Sequence, residues 1–138
     1  MKIVLDTNVL VSGLLSPFGS PAQIVRMVVS GYIQLCYDAR IAAEYRQVLN
    51  RPRFGFDPAN VAIVLEQIES SGEVYTAPPL KRDLPDRGDN PFLEVAIAAG
   101  ADFLVTGNTK HYPPERRMNM NVITPSEFLR AFGAGKDT

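Results

Sequence analysis

The run Ile3-Val4-Leu5 is apolar without interruption, with no polar residue alternating through it. A short strand of that kind is buried on both faces, so the sheet that receives it needs cover above and below. Four further stretches read as short strands: YIQLCY at 32–37, EVYTA at 73–77, DFLVT at 102–106 and MNVIT at 120–124. Helix signals lie between them. Ser20-Pro21-Ala22-Gln23 is a helix start, and Ile24, Val25, Val28 and Val29 give that helix an apolar face before Gly31. Asp38 caps a helix carrying Ile41, Tyr45, Val48 and Leu49, which stops before Pro52. Asp57-Pro58 opens another, closed by Gly72; Asp89 to Ala99 is a fourth, closed by Gly100. Thr124-Pro125-Ser126-Glu127 repeats the capping-box pattern for a last helix through Phe132. Short strands separated by helices predict a three-layer α/β/α sandwich with a mostly parallel central sheet. Residues 1–132 are expected to form a single domain, and 133–138 a flexible tail.

Composition narrows the function. The formal net charge is −1, so a polyanionic partner must be drawn by local basic clusters or metal ions rather than by the whole molecule. Three such clusters exist: Arg51 with Arg53; Lys81, Arg82 and Arg87; and Lys110, Arg116 and Arg117. Cys36 is the only cysteine, which excludes an internal disulfide and suits a reducing cytoplasm. Asp6 and Asn8 interrupt the N-terminal apolar stretch, and no small-residue cleavage site follows, so an export signal is not expected. No apolar run reaches the roughly 18 residues of a membrane span.

Asp6-Thr7-Asn8 is the anomaly, three polar residues between Ile3–Leu5 and a nearly apolar stretch at 9–15. Burying an unpaired carboxylate costs on the order of several kcal/mol, so Asp6 needs a reason to be there. In parallel α/β sheets the binding crevice lies beyond the carboxyl ends of the strands. Asp6 ends the first strand and Thr106-Gly107-Asn108 follows the fourth, so both emerge at one rim. Converging carboxylates there would hold a hard divalent cation such as Mg²⁺ or Mn²⁺. Glu44 sits at the border of its helix's apolar stripe, and Asp89 opens its helix, where an N-cap role is equally open to it. Asp86 lies in the preceding loop, and Glu94 reads as an exposed or rim residue. His111, the only histidine, has no nucleophile or acid motif around it and reads as a bystander.

Taken together, IVLDTNVLVSGLL at the N-terminus, Glu44, and DNPFLEVAIAAGADFLVTGNTKHYP resemble the PIN-domain family. More narrowly they resemble the toxin ribonucleases of bacterial and archaeal toxin–antitoxin pairs. The resemblance implies a PIN-like fold and a Mg²⁺- or Mn²⁺-dependent endoribonuclease, with Asp6, Glu44 and Asp89 as the first three acids of its cluster. The fourth position, often Asp, falls on Asn108, a neutral oxygen donor and a weaker metal ligand. Thr7 and Thr106 are expected to position water or phosphate, and Lys110, Arg87 and Arg82 to hold flanking phosphates of an RNA substrate. A small antitoxin protein and a homodimer are implied as partners, with Phe18, Phe54, Phe56 and Tyr112 as exposed apolar contacts; no membrane is implied.

The chemistry so implied is metal-assisted phosphodiester hydrolysis, which needs no nucleophilic side chain. A dehalogenase-like phosphatase would want Asp-x-Asp at the strand end, where this chain has Asn8. A nucleotide-binding module lacks its Gly-rich loop. The main rival is a catalytically impaired PIN-like protein that binds RNA or a partner, a reading that rests on Asn108.

Overall fold

The computed structural model describes residues 1–136. Its five strands are β1 (Lys2–Leu5), β2 (Gln34–Tyr37), β3 (Glu73–Val74), β4 (Phe103–Val105) and β5 (Val122–Ile123). They form one sheet in the order β3-β2-β1-β4-β5, and every neighbouring pair is parallel. The expected sandwich is therefore the one found. The strands are shorter than their sequence signals because polar or exposed residues flank each apolar centre. Tyr32, for instance, is 62% exposed and lies before β2, in the turn where Gly31 takes a positive φ.

Among the described residues there are six α-helices: α1 (Thr7–Leu15), α2 (Ser20–Val29), α3 (Ala39–Leu49), α4 (Pro58–Ser71), α5 (Asn90–Ala99) and α6 (Pro125–Lys136). Asp38 and Asp57 cap α3 and α4 through the Ile41 and Ala59 amides, each at 2.9 Å. Thr124 and Glu127 close a reciprocal capping box on α6. Two differences from the sequence reading stand out. Residues 7–15 form a helix directly after β1, without a start signal other than Asp6, because their apolar side chains Val9, Leu10 and Val11 are buried. The last helix runs on to Lys136, so the first four positions of the expected tail continue α6; residues 137–138 lie outside the described residues.

β1 is central, and Ile3, Val4 and Leu5 have no exposed surface. α5 packs along β1, β2 and β4 with Phe92, Leu93, Val95 and Ala96 buried. Since β1→β2→β3 steps one way and β3→β4 steps back, right-handed crossovers put α5 on the face opposite the cluster of α1, α2, α4 and α6. No helix is long and apolar enough to cross a membrane among the described residues.

α1 packs closely against α2 at Gly13. A Cβ added to Gly13 would lie 2.7 Å from Val25 Cγ2 and 2.8 Å from the Pro21 carbonyl oxygen. Alanine favours a helix over glycine by about 1 kcal/mol, whereas overpacking costs typically ~1–3 kcal/mol. Because one clash is with backbone, Gly13→Ala is expected to destabilise the fold, by roughly 1–2 kcal/mol net. Urea unfolding reads this directly, and a midpoint equal to wild type or higher would show that the α1–α2 spacing yields.

Candidate active site

The sheet order reverses at β1 and β4: β2 and β3 lie to one side, β5 to the other. Such a switch point opens a crevice beyond the carboxyl ends of the two strands. The chain leaves β1 at Asp6, whose amide donates to the Val105 carbonyl at 2.9 Å, and leaves β4 at Thr106. Asp6 is only 5% exposed. Its Oδ2 accepts from Thr106 Oγ1 at 2.8 Å and from the Tyr112 hydroxyl at 3.1 Å. Burial pushes the Asp6 carboxyl above the ordinary carboxylate range; Thr106, Tyr112 and the Thr7 amide pull it part of the way back. Both hydroxyls serve one oxygen, so Oδ1 has no side-chain donor.

Glu44 reaches the same region from α3. Thr7, buried in the first turn of α1, donates its hydroxyl to Glu44 Oε2. The alternative partner, Arg40 one turn earlier, is engaged elsewhere. It meets Asp38 Oδ2 and Glu94 Oε1, each at 2.7 Å. Glu94 is not a rim residue as its sequence position suggests. It is 4% exposed, and its second oxygen accepts from the Leu80 amide at 2.8 Å, which ties the long loop down onto α5.

Asp89 closes a 3-10 turn (Arg87–Asp89) that leads into α5. It occupies the N-cap position, yet its side chain makes no capping bond. The turn is instead stabilised by Asp86, which accepts from the Gly88 amide at 2.8 Å. Asp89 is thereby released from a structural duty. Its Oδ2 is buried and has no hydrogen-bond partner; His111 Nδ1 lies 3.1 Å away, in ion-pair range but outside hydrogen-bond geometry. Burial first, and the neighbouring Asp6 charge second, raise the Asp89 carboxyl from 3.8 to about 6, against the opposing pull of His111.

His111 and Tyr112 are the residues that sequence reasoning misjudged. His111 stands against Asp89 rather than apart from it. Tyr112, expected as an exposed contact, is fully buried. Its hydroxyl is pushed far above its usual value by burial and by Asp6 and Asp89, so it stays protonated and donates to Asp6. The short turn Thr109–His111 that delivers them is held by Arg117, whose guanidinium donates to the Tyr112 carbonyl at 2.6 Å. Phe18 is 84% exposed, as expected, while Phe54 and Phe56 are half-buried and stacked on each other.

Asn108 follows Thr106 and is exposed; its amide donates to Thr106 Oγ1 at 3.1 Å, and its side chain caps nothing. It lines a cleft with Asn8, Ser12 and Pro125. Of the expected phosphate holders, Arg82 and Lys110 are exposed without an ion pair among the described residues. Arg87 is paired with Asp83 at 2.8 Å.

The profile of the PIN domain matches residues 2–110 of this chain. The chain belongs to the PIN-domain family. A relative from Methanocaldococcus jannaschii, the uncharacterised protein MJ1680, is 26% identical over 142 residues, spanning 96% of this chain and 92% of its own. The PIN domain also resembles two solved structures in fold. VapBC2 from Rickettsia felis, bound to a DNA fragment from its promoter, has a TM-score of 0.59 at 17% identity, over 90% of this chain and 98% of that one. PAE2754 from Pyrobaculum aerophilum has a TM-score of 0.61 at 19% identity, over 97% and 90%. His111 and Tyr112 lie just past the stretch of this PIN domain that matches the family profile.

A hard divalent cation fits the donor set. The Asp6 charge adds to the proton affinity that burial gives Asp89, and a buried Asp89 carboxylate oxygen stands without a hydrogen-bond partner among the described residues. No three His, Cys, Asp or Glu side chains among the described residues stand close enough to share one ion as they are placed.

Without metal, the Asp89 carboxylate destabilises the fold at neutral pH. Its folded value of about 6 exceeds the unfolded value near 3.8, so its contribution is fully favourable below 3.8 and is lost as pH rises through about 6. Asp89→Asn is therefore expected to stabilise the metal-free PIN domain at neutral pH by about 2 kcal/mol, and less as the pH falls below 6. Thermal melts across that range in chelator check it; a variant that melts below wild type at neutral pH contradicts it.

Proposed function

We propose that this PIN domain is a Mg²⁺- or Mn²⁺-dependent endoribonuclease and the toxin of a toxin–antitoxin pair. The observation that carries the catalytic part is the pair Asp6 and Asp89 at the switch point, both with raised proton affinity and one with a buried oxygen lacking a donor. Such an arrangement is unfavourable by itself and is relieved by a cation. Asp6 and Asp89 would hold the ion, with Glu44 as the third ligand and Asn108 as a weaker neutral one.

A bound divalent ion supplies charge neutralisation at the scissile phosphate and a more acidic water. The chain's own residues do the rest. Thr106 and Tyr112 fix Asp6 by bonding one of its oxygens, and Thr7 fixes Glu44. Arg82 and Lys110, free of ion pairs, hold phosphates on either side of the reacting one, while Arg87 must first leave Asp83. RNA in single-stranded form suits a shallow acidic crevice, because its backbone bends to present one phosphate. Support for the antitoxin comes from the fold likeness to VapBC2 and from a cleft of Leu14, Phe56, Asp57, Asn60, Val61 and Val64, with Leu15 and Ile63 exposed next to its residues in the chain.

The purified protein is expected to cleave RNA with Mg²⁺ or Mn²⁺ and to stop in EDTA. Asp6→Asn keeps the shape and removes the charge, and its rate should fall by roughly 100-fold or more, the scale of losing one charge contact to the transition state. Undiminished cleavage by that variant would overturn the mechanism. No cleavage by wild type at high metal would instead favour the binding-only reading, which draws on the neutral Asn108. Asn108→Asp adds the missing charge. It should lower the Mn²⁺ concentration for half-maximal cleavage and tighten Mn²⁺ binding by calorimetry; identical curves would put residue 108 outside the coordination sphere.

A further inference from the structure

A second groove opens beside the acidic crevice, between α1 and the 3-10 turn Pro52–Phe54 that follows α3. It encloses about 360 Å³ and is lined by Thr7, Asn8, Ser12, Val48, Arg53 and Phe54. That volume lies within the roughly 300–1,000 Å³ range of small-ligand sites. Thr7 belongs to both places, since its hydroxyl holds Glu44 while its residue walls the groove. Asn8 also lines the cleft on the other side, with Asn108, so the two depressions meet at the N-terminal turn of α1.

The chemistry of the groove is specific. Arg53 seats its guanidinium over the Phe54 ring, 4.8 Å from the centroid. Phe54 in turn stacks on Phe56, with centroids 5.9 Å apart and planes 26° from parallel. Arg53 is exposed and makes no ion pair among the described residues. A planar cation seated on an aromatic pair is a stacking surface for a nucleobase, and its charge draws a phosphate chain toward a rim that is otherwise acidic. Asn8 and Ser12 add donors and acceptors for a base edge. The neighbouring cleft of Leu14, Phe56, Asp57, Asn60, Val61 and Val64 has no cation on its wall.

We propose that this groove is a nucleobase subsite, in which Arg53 stacks on an unpaired base of single-stranded RNA next to the phosphate held at the acidic crevice. The assignment rests on the RNA reading of that crevice and goes beyond it by naming how the strand is gripped. Neither Arg53 nor Phe54 belongs to the metal-binding set.

Fluorescence anisotropy with short labelled single-stranded RNAs, in Ca²⁺, tests it on wild type, Arg53→Ala, Arg53→Lys and Phe54→Ala. A matched series of the same RNA carries one abasic nucleotide, moved along the strand. Wild type should bind the intact strand about tenfold more tightly than the strand abasic at the stacked position. Arg53→Ala should bind intact RNA about tenfold more weakly and lose that discrimination. Arg53→Lys keeps the charge without the plane and should lose the discrimination too; full rescue by lysine would overturn stacking. Thermal melts of the Arg53 variants, altered only at an exposed side chain, report whether the fold is intact, and Phe54→Ala gives an independent readout on the seat of the cation. Wild type that binds RNA yet is indifferent to every abasic position overturns the subsite and leaves the nuclease reading standing. Unchanged RNA affinity in Arg53→Ala gives the groove to a protein partner and likewise overturns it. Wild type that binds no RNA at all overturns the nuclease reading as well, so the two failures are told apart.

Discussion

β1 is flanked by β2 and β4, and its three apolar residues are wholly buried, so whatever leaves its carboxyl end emerges inside the molecule rather than at an edge. That residue is Asp6. A carboxylate in such a place must be met by donors or by a cation, and the rest of the rim is arranged around the need. Thr106 is supplied by the neighbouring strand at the same level, and Tyr112 by the loop that follows it. The helix that begins at Thr7 brings Thr7 within reach of Glu44.

Several of the charged residues hold the fold. Asp38 caps α3 and, with Glu94, absorbs Arg40; Asp86 stabilises the turn before α5; Asp83 takes up Arg87. Because these pairings are made locally or across packed helices, Glu44 and Asp89 are spared from them. Asp89, buried near the Asp6 charge and met only by His111, is poorly compensated. The raised proton affinity of Asp89 expresses that imbalance, which stability alone would not favour.

Much of this was legible in the sequence because the signals are local. The unbroken run of β1, the caps at Asp38, Asp57 and Thr124, and the glycines after α4 and α5 each act within a few residues, so element type and order, and from them the parallel sheet, could be read directly. Asp6 stood out for the same reason, as a charge set in an apolar stretch. The position of Asn108 after β4 followed from strand order. α1 was less legible, since an apolar run without a cap signal is compatible with strand or helix.

What only the tertiary structure decided was which side chains meet. Glu94 and Arg40 lie on different helices, as do Thr7 and Glu44, and no periodicity connects them. Asp89 looked like a helix cap from its position, but it makes no capping bond, and Asp86 instead caps the 3-10 turn before α5 on the Gly88 amide. His111 and Tyr112 read as a bystander and a surface aromatic, because the acids they meet, Asp89 and Asp6, lie far from them in the chain. The crossing of β4 beside β1, and the turn that Arg117 holds, bring them onto Asp89 and Asp6. Local sequence determines elements through short-range backbone and capping forces; the partners of a buried charge depend on strand order and loop path, and those exist only once the chain has folded.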